Sequence, residues 1–132
     1  MSLTSLSVFH NSHKEIIEAI REKVPADIFV ASRIPKTRPA KMVLVIDAGG
    51  NYLGGRIRAH RINVLVWGGK TWEETADLCY EVQASISSLT ARPFSNIIHI
   101  EPELMPTPSP FGEDTETPVY SCSFTMSVAS QA

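Results

Sequence analysis

The segment from Tyr120 to Val128 alternates without a break. Tyr120, Cys122, Phe124, Met126 and Val128 are apolar or aromatic, and Ser121, Ser123, Thr125 and Ser127 stand between them. Successive side chains of a strand point to opposite faces, so this period of two specifies one buried face and one small, polar face. A chain with such a strand must build a sheet and cover one side of it.

Two amphipathic helices supply the cover. Ser12 and Glu15 form a capping box, in which each side chain satisfies a backbone N–H left over at the helix start. Ile16, Ile17, Ile20 and Val24 then recur at helical spacing until Pro25. Lys14, Glu15, Glu18, Arg21 and Glu22 fill the wet side. Thr71 and Glu74 form a second capping box. After it Trp72, Ala76, Cys79, Val82, Ile86 and Leu89 mark an apolar stripe, with Glu73, Asp77 and Glu81 on another face and Pro93 beyond the end.

The remaining strands are shorter signals. Asp27 to Ala31 reads as a brief strand, and Ser32 to Ala40, with Pro35 and Pro39, as a loop. Lys41 to Asp47 encloses Met-Val-Leu-Val-Ile, a continuous apolar run that fits a strand covered on both faces. Gly49, Gly50, Asn51, Gly54 and Gly55 suggest a wide hairpin connection. Arg56 to Trp67 is polar and basic in its first half and apolar in its second, a strand that starts outside the core and runs into it. Asn96 to Ile100 is a short strand. Met105 to Pro118 holds four prolines and reads as a long exposed loop.

The order is α-β-β-β-α-β-β. It predicts one α+β domain over residues 1–132, a mainly antiparallel sheet of about five strands with both helices on one face, and mobile loops near 32–40 and 105–118. The 132 residues suffice for one core, and 43% apolar with 20% charged residues is ordinary globular usage. The two cysteines, Cys79 and Cys122, form no CxxC pair and read as reduced structural thiols. Residues 1–8 make a poor secretory signal, and no apolar stretch approaches a membrane span, so the expected setting is the cytoplasm without a membrane partner.

Chemical motifs are weak throughout. Gly68-Gly69-Lys70-Thr71 resembles the end of a phosphate-binding loop, but Val64 takes the place of its first glycine. His10, His13, His60 and His99 share no helix face with a second ligand. Ser121 to Ser127 lack a nucleophile elbow and a base. Glu73 and Glu74 are adjacent on a helix and point apart, suited to its N-terminus. The expectation is no catalytic site, no metal and no cofactor.

Charge is distributed more tellingly. Residues 1–70 hold eleven of the twelve Lys and Arg and five acids, a net of +6; residues 71–132 hold one Arg and nine acids, a net of −8. The candidate basic contact residues are Arg33, Lys36, Arg38, Lys41, Arg56, Arg58 and Arg61. The candidate acidic ones are Glu73, Glu74, Asp77 and Glu81. Three readings follow: the halves neutralise one another within a subunit; a basic edge meets the acidic edge of a neighbouring copy, which generates a ring or filament; or the basic segment faces DNA phosphates.

The early amphipathic helix Ser12 to Val24, the passage from the strand Arg56–Trp67 into the helix Thr71–Asp77, and the closing strand Tyr120 to Val128 together resemble the tail terminator or tail-completion proteins of long-tailed bacteriophages and prophages. That resemblance implies a structural virion protein that caps the tail tube and joins it to the head. It implies a homo-oligomeric ring, typically a hexamer, around a channel through which DNA passes without sequence specificity. It implies no enzyme activity, as partners the tail tube protein and a head-completion protein, and a place in the virion tail after assembly in the host cytoplasm. Another head–tail connector is an alternative. So is a small ligand-binding α+β domain, whose first candidate residues are His60, His99, Tyr80 and Arg61.

Overall fold

The computed structural model describes residues 12–54, 57–91, 97–110 and 116–129. It is an α+β arrangement of two helices and a mostly antiparallel sheet. The elements are α1 (Ser12–Lys23), β1 (Phe29–Ala31), β2 (Met42–Gly54), β3 (Ile57–Trp67), α2 (Trp72–Ser87), β4 (Ile97–Pro108) and β5 (Val119–Ala129), with a 3₁₀ turn over Ser88–Ala91. The sheet order is β1-β2-β3-β5-β4. β1 runs parallel to β2, and the other pairs are antiparallel.

Strand parity divides the apolar residues between two faces. Val43, Val45, Ile62, Val64, Val66, Cys122, Phe124, Met126 and Val128 share one core with Ile16, Ala19 and Ile20 of α1 and Cys79, Val82 and Ile86 of α2. Met42, Leu44, Trp67 and Val119 have the opposite parity and form a smaller cluster on the other face. Burying a large side chain of this kind stabilises by roughly 1.5–3 kcal/mol, so most of the folding free energy lies on the first face. The second face is only partly covered. The indole N–H of Trp67 donates to the Pro39 carbonyl at 2.8 Å and ties the 32–40 loop across that end of the sheet. The apolar run of β2 is thus buried on both sides from Met42 to Val45.

α2 begins as its capping residues dictate. Thr71 Oγ1 accepts from the Glu74 N–H at 3.1 Å, and Glu74 Oε2 accepts from the Lys70 N–H at 2.8 Å. The carboxylate therefore reaches one residue further back than the usual reciprocal box. The Ser12 side chain lies outside the described residues, so the first box has no counterpart here.

Three sequence expectations are corrected. The glycine-rich stretch after Asp47 is not a wide connection: β2 continues to Gly54 and stays paired with β3, with register shifts at Asp47/Gly50 and Tyr52/Gly54. Gly50, at φ +157°, makes the continuation possible, because a Cβ there would collide with the Ala59 carbonyl on the facing strand. The strand expected over Asn96–Ile100 runs instead from Ile97 to Pro108, so Met105 to Pro108 are strand and not loop. β4 tolerates Pro102, Pro106 and Pro108 because it is the outer strand, with bulges at Pro102/Leu104 and Leu104/Thr107. The remainder of the 105–118 loop falls largely on residues 111–115, outside the described set. The early strand is shorter than expected, Phe29–Ala31 in place of Asp27–Ala31.

Candidate functional site

The sheet order creates two lateral edges. At one edge lie β1, β2 and the overlying α1; at the other lie β4 and α2, which packs over β3, β5 and β4. Arg33, Lys36 and Arg38 are exposed on the segment that follows β1. Lys41, just before β2, is paired with Asp27 at 2.9 Å, and this pair lowers the Asp27 pKa through a hydrogen bond and direct charge attraction. Arg58, half-buried, and Arg61, exposed, stand on β3, one strand in from the edge. Arg56 lies outside the described residues. Arg33, Lys36 and Arg38 thus sit on a segment that leaves β1 and reaches Trp67 of β3 at Pro39, Lys41 stands at the start of β2, and Arg58 and Arg61 are apart from them, on opposite sheet faces.

Glu73, Glu74, Asp77 and Glu81 are all exposed on α2; Glu81 lines a hollow with Lys23 of α1, whereas Gln83 is the α2 side chain that meets Met105 of β4. Among the described residues none of these four carboxylates is in an ion pair. β4 itself places Glu101 and Glu103 on the outer edge of the sheet, both exposed. Glu103 accepts a hydrogen bond from the Thr125 hydroxyl, and Glu101 lies 3.9 Å from His99. Sequence reasoning missed these two acids, because the strand expected over Asn96–Ile100 stopped short of them and Pro102 stands between them; their place in a strand on the β4 edge was not legible without the pairing of β5.

Arg61, Thr125 and Glu101 occupy one transverse row of the sheet through the β3–β5 and β5–β4 registers. Two strand spacings, roughly 10 Å, separate the Arg61 and Glu101 backbones. Opposite charges at that distance across a wet face attract weakly, because water and salt screen them.

The residues considered for a ligand pocket do not converge. His60 is buried beneath the helix layer, Arg61 is on the opposite sheet face, Tyr80 is exposed on α2 and His99 is exposed on β4. His60 has a different role. Its Nε2–H donates to Asp47 Oδ1 at 2.8 Å, and the same oxygen accepts from the Gly49 N–H at 2.9 Å. His13 Nε2–H donates to the Val45 carbonyl at 2.7 Å close by. Burial lowers the His60 pKa, opposed by Asp47 and aided by Arg58 and His13. Burial pushes the Asp47 carboxyl up, but the Gly49 N–H and His60 outweigh it and the net shift is downward. This cluster fixes the point where β2 bulges.

Gly68 is likewise structural. Its φ is +136°, and a Cβ there would stand 2.8 Å from Lys41 atoms, so the Gly-Gly-Lys-Thr stretch is a close passage between β3 and α2. Among the described residues no three His, Cys, Asp or Glu side chains are grouped to hold a metal ion, and no helix is long and apolar enough to cross a membrane. No family model matches the chain, and no curated protein matches it.

Proposed function

We propose that this chain is a structural protein of a long-tailed bacteriophage or prophage that assembles head to tail into a ring, caps the tail tube and joins it to the head. The observation that carries the reading is unlike charge at the two lateral edges of one sheet: exposed Arg33 just after β1 at one, and exposed Glu101 and Glu103 on β4 at the other. Two unlike edges on one subunit make a heterologous contact, which closes into a ring when the rotation between copies divides a full turn. Both helices contribute to the core on a single sheet face, which leaves the edges to meet neighbours. In this reading Arg61, on the open sheet face, and the basic loop residues not used between subunits line the channel and meet DNA phosphates without reading sequence.

Electron microscopy of the purified protein, alone and mixed with tail tubes lacking their upper end, tests the proposal. Rings with a central hole that seat on one end of the tube are expected. Rings that bind only the head portal would assign the protein to another connector of the neck. Particles of monomer size at every concentration, with no attachment to tubes, would overturn the proposal.

A further inference from the structure

The two cysteines meet inside the core. Cys79 stands on the inward face of α2 with Val82 and Ile86, and Cys122 on the inward face of β5 with Phe124 and Met126, all buried in one cluster. α2 packs over β5, and Val64 of β3 flanks Cys122, so the pair lies between the helix layer and an interior strand. The thiols hydrogen-bond one another. A buried cysteine serves as a small apolar side chain, and that role needs no second thiol beside it. Assembly through the sheet edges does not use them.

The contact makes the two sulfurs chemically unlike. Cys122 donates its S–H to Cys79, and this bond lowers the Cys79 pKa although burial opposes it. The same bond, together with burial, raises the Cys122 pKa. The thiolate is the nucleophile in thiol oxidation, so Cys79 is the sulfur that attacks and Cys122 the one that resolves. Burial keeps bulky reagents out, whereas a small peroxide gains entry through brief local opening beside α2.

We infer that Cys79 and Cys122 are an oxidation site, at which a hydroperoxide closes a reversible disulfide between α2 and β5 of one subunit. In the first step the Cys79 sulfur takes one oxygen from hydrogen peroxide, the O–O bond breaks and water leaves, with Cys79 now a sulfenic acid. In the second step the Cys122 sulfur attacks the Cys79 sulfur, the S–O bond breaks, and the hydroxyl leaves with the Cys122 proton as a second water. Two thiols and one peroxide give one disulfide and two waters; sulfur is oxidised and peroxide oxygen is reduced. The resolving thiol is already in contact, so the sulfenic acid is consumed before further oxidation. The closed loop runs from Cys79 through the 3₁₀ turn and β4 to Cys122. It ties the outer strand, with Glu101 and Glu103, to the helix layer, and a cross-link over a loop of this length restricts the unfolded chain. Both sulfurs belong to one subunit, so the site does not depend on assembly.

Treatment of the purified full chain with hydrogen peroxide tests it, followed by alkylation in urea and digestion with a glutamate-specific protease. Cleavage after Glu74, Glu81 and Glu116 leaves Cys79 in residues 75–81 and Cys122 in residues 117–132. The expected product is these two peptides joined, lighter by two hydrogens than their sum, from a protein that runs as a monomer on a non-reducing denaturing gel. Its urea midpoint should rise, and dithiothreitol should return it to the starting value. In Cys122→Ser the resolving sulfur is gone; after the same treatment Cys79 should carry added oxygen and the midpoint should not rise. Should that variant fail to fold, the wild-type digest still decides. Both peptides recovered separately and alkylated, oxygen added to either wild-type cysteine without a link, or a link between subunits would overturn the inference, as would a link that leaves the midpoint unchanged.

Discussion

His60 Nε2 lies 2.8 Å from Asp47 Oδ1 across the β2–β3 pair, with the imidazole side chain 3% exposed and the carboxylate 52% exposed. Burial holds the His60 pKa below 6.5, so the folded protein keeps the ring neutral while the unfolded chain protonates first as pH falls. Stability is therefore level above about pH 6.5, declines as pH drops below that value, and levels off once the folded-state pKa is passed. Asp47, held below 3.8, adds a second loss at still lower pH, as the carboxylate protonates and its hydrogen bonds go. Urea midpoints measured from about pH 7.5 to about pH 5 should fall in the wild type and stay flatter in His60→Leu. At neutral pH the substitution should cost about 2 kcal/mol, through the lost bond and the altered packing.

Trp67 should prove the anchor of the 32–40 segment. Trp67→Phe keeps most of the apolar volume and removes the bond to the Pro39 carbonyl. A loss of about 1 kcal/mol is expected by denaturant titration. Faster tryptic cleavage at Arg33, Lys36 or Arg38 should accompany it, because the loop opens more readily than the sheet unfolds.

The cap of α2 should carry its own share. Thr71→Ala deletes the acceptor of the Glu74 N–H and should cost about 1 kcal/mol, read by thermal or urea unfolding. Thr71→Ser should recover most of that stability.

Phe124 is fully buried on the helix-covered face of β5. Phe124→Ala should cost about 3–5 kcal/mol, since the neighbouring strands and helices cannot collapse into the space. Such a loss is a large fraction of a small domain's stability, so the readout is soluble yield together with the unfolding midpoint.

The buried thiols offer a probe of the same core. Cys79 of α2 and Cys122 of β5 are both buried and free, and the adjacent Cys79 together with burial raises the Cys122 pKa. Neither should react with a thiol reagent in the native protein, and both should react in denaturant. Fast native labelling would show that α2 lifts from the sheet.

Legibility in the sequence followed the strength of local pattern. β5 was readable residue by residue because its alternation is unbroken and its polar side is uniformly small. α2 was readable from Thr71, Glu74 and the apolar stripe, although the carboxylate of Glu74 serves Lys70. The length of β4 was hidden, because proline argues against a strand wherever both sides pair, and only the strand order reveals that one side of β4 does not. The continuation of β2 beyond Asp47 was hidden for a related reason: Gly49 and Gly50 signal a turn, while here they accommodate a bulge inside a paired hairpin. For candidate contacts, sequence named the acids of α2 and the basic loop, but that the acids on the outer strand are Glu101 and Glu103 required the fold. The separation of Arg58 and Arg61 from the loop cations required it as well.

The central claim is that the basic edge of one copy meets the acidic edge of the next. Reversal of each edge in turn, with Arg33→Glu and Lys36→Glu in one variant and Glu101→Lys and Glu103→Lys in another, tests it most directly by light scattering after size exclusion. Each variant alone should elute as a folded monomer, and an equal mixture should recover a closed ring in which the two alternate, weakened by high salt. Variants that assemble as well alone as the wild type, or a mixture that stays monomeric at concentrations where the wild type forms rings, would contradict it.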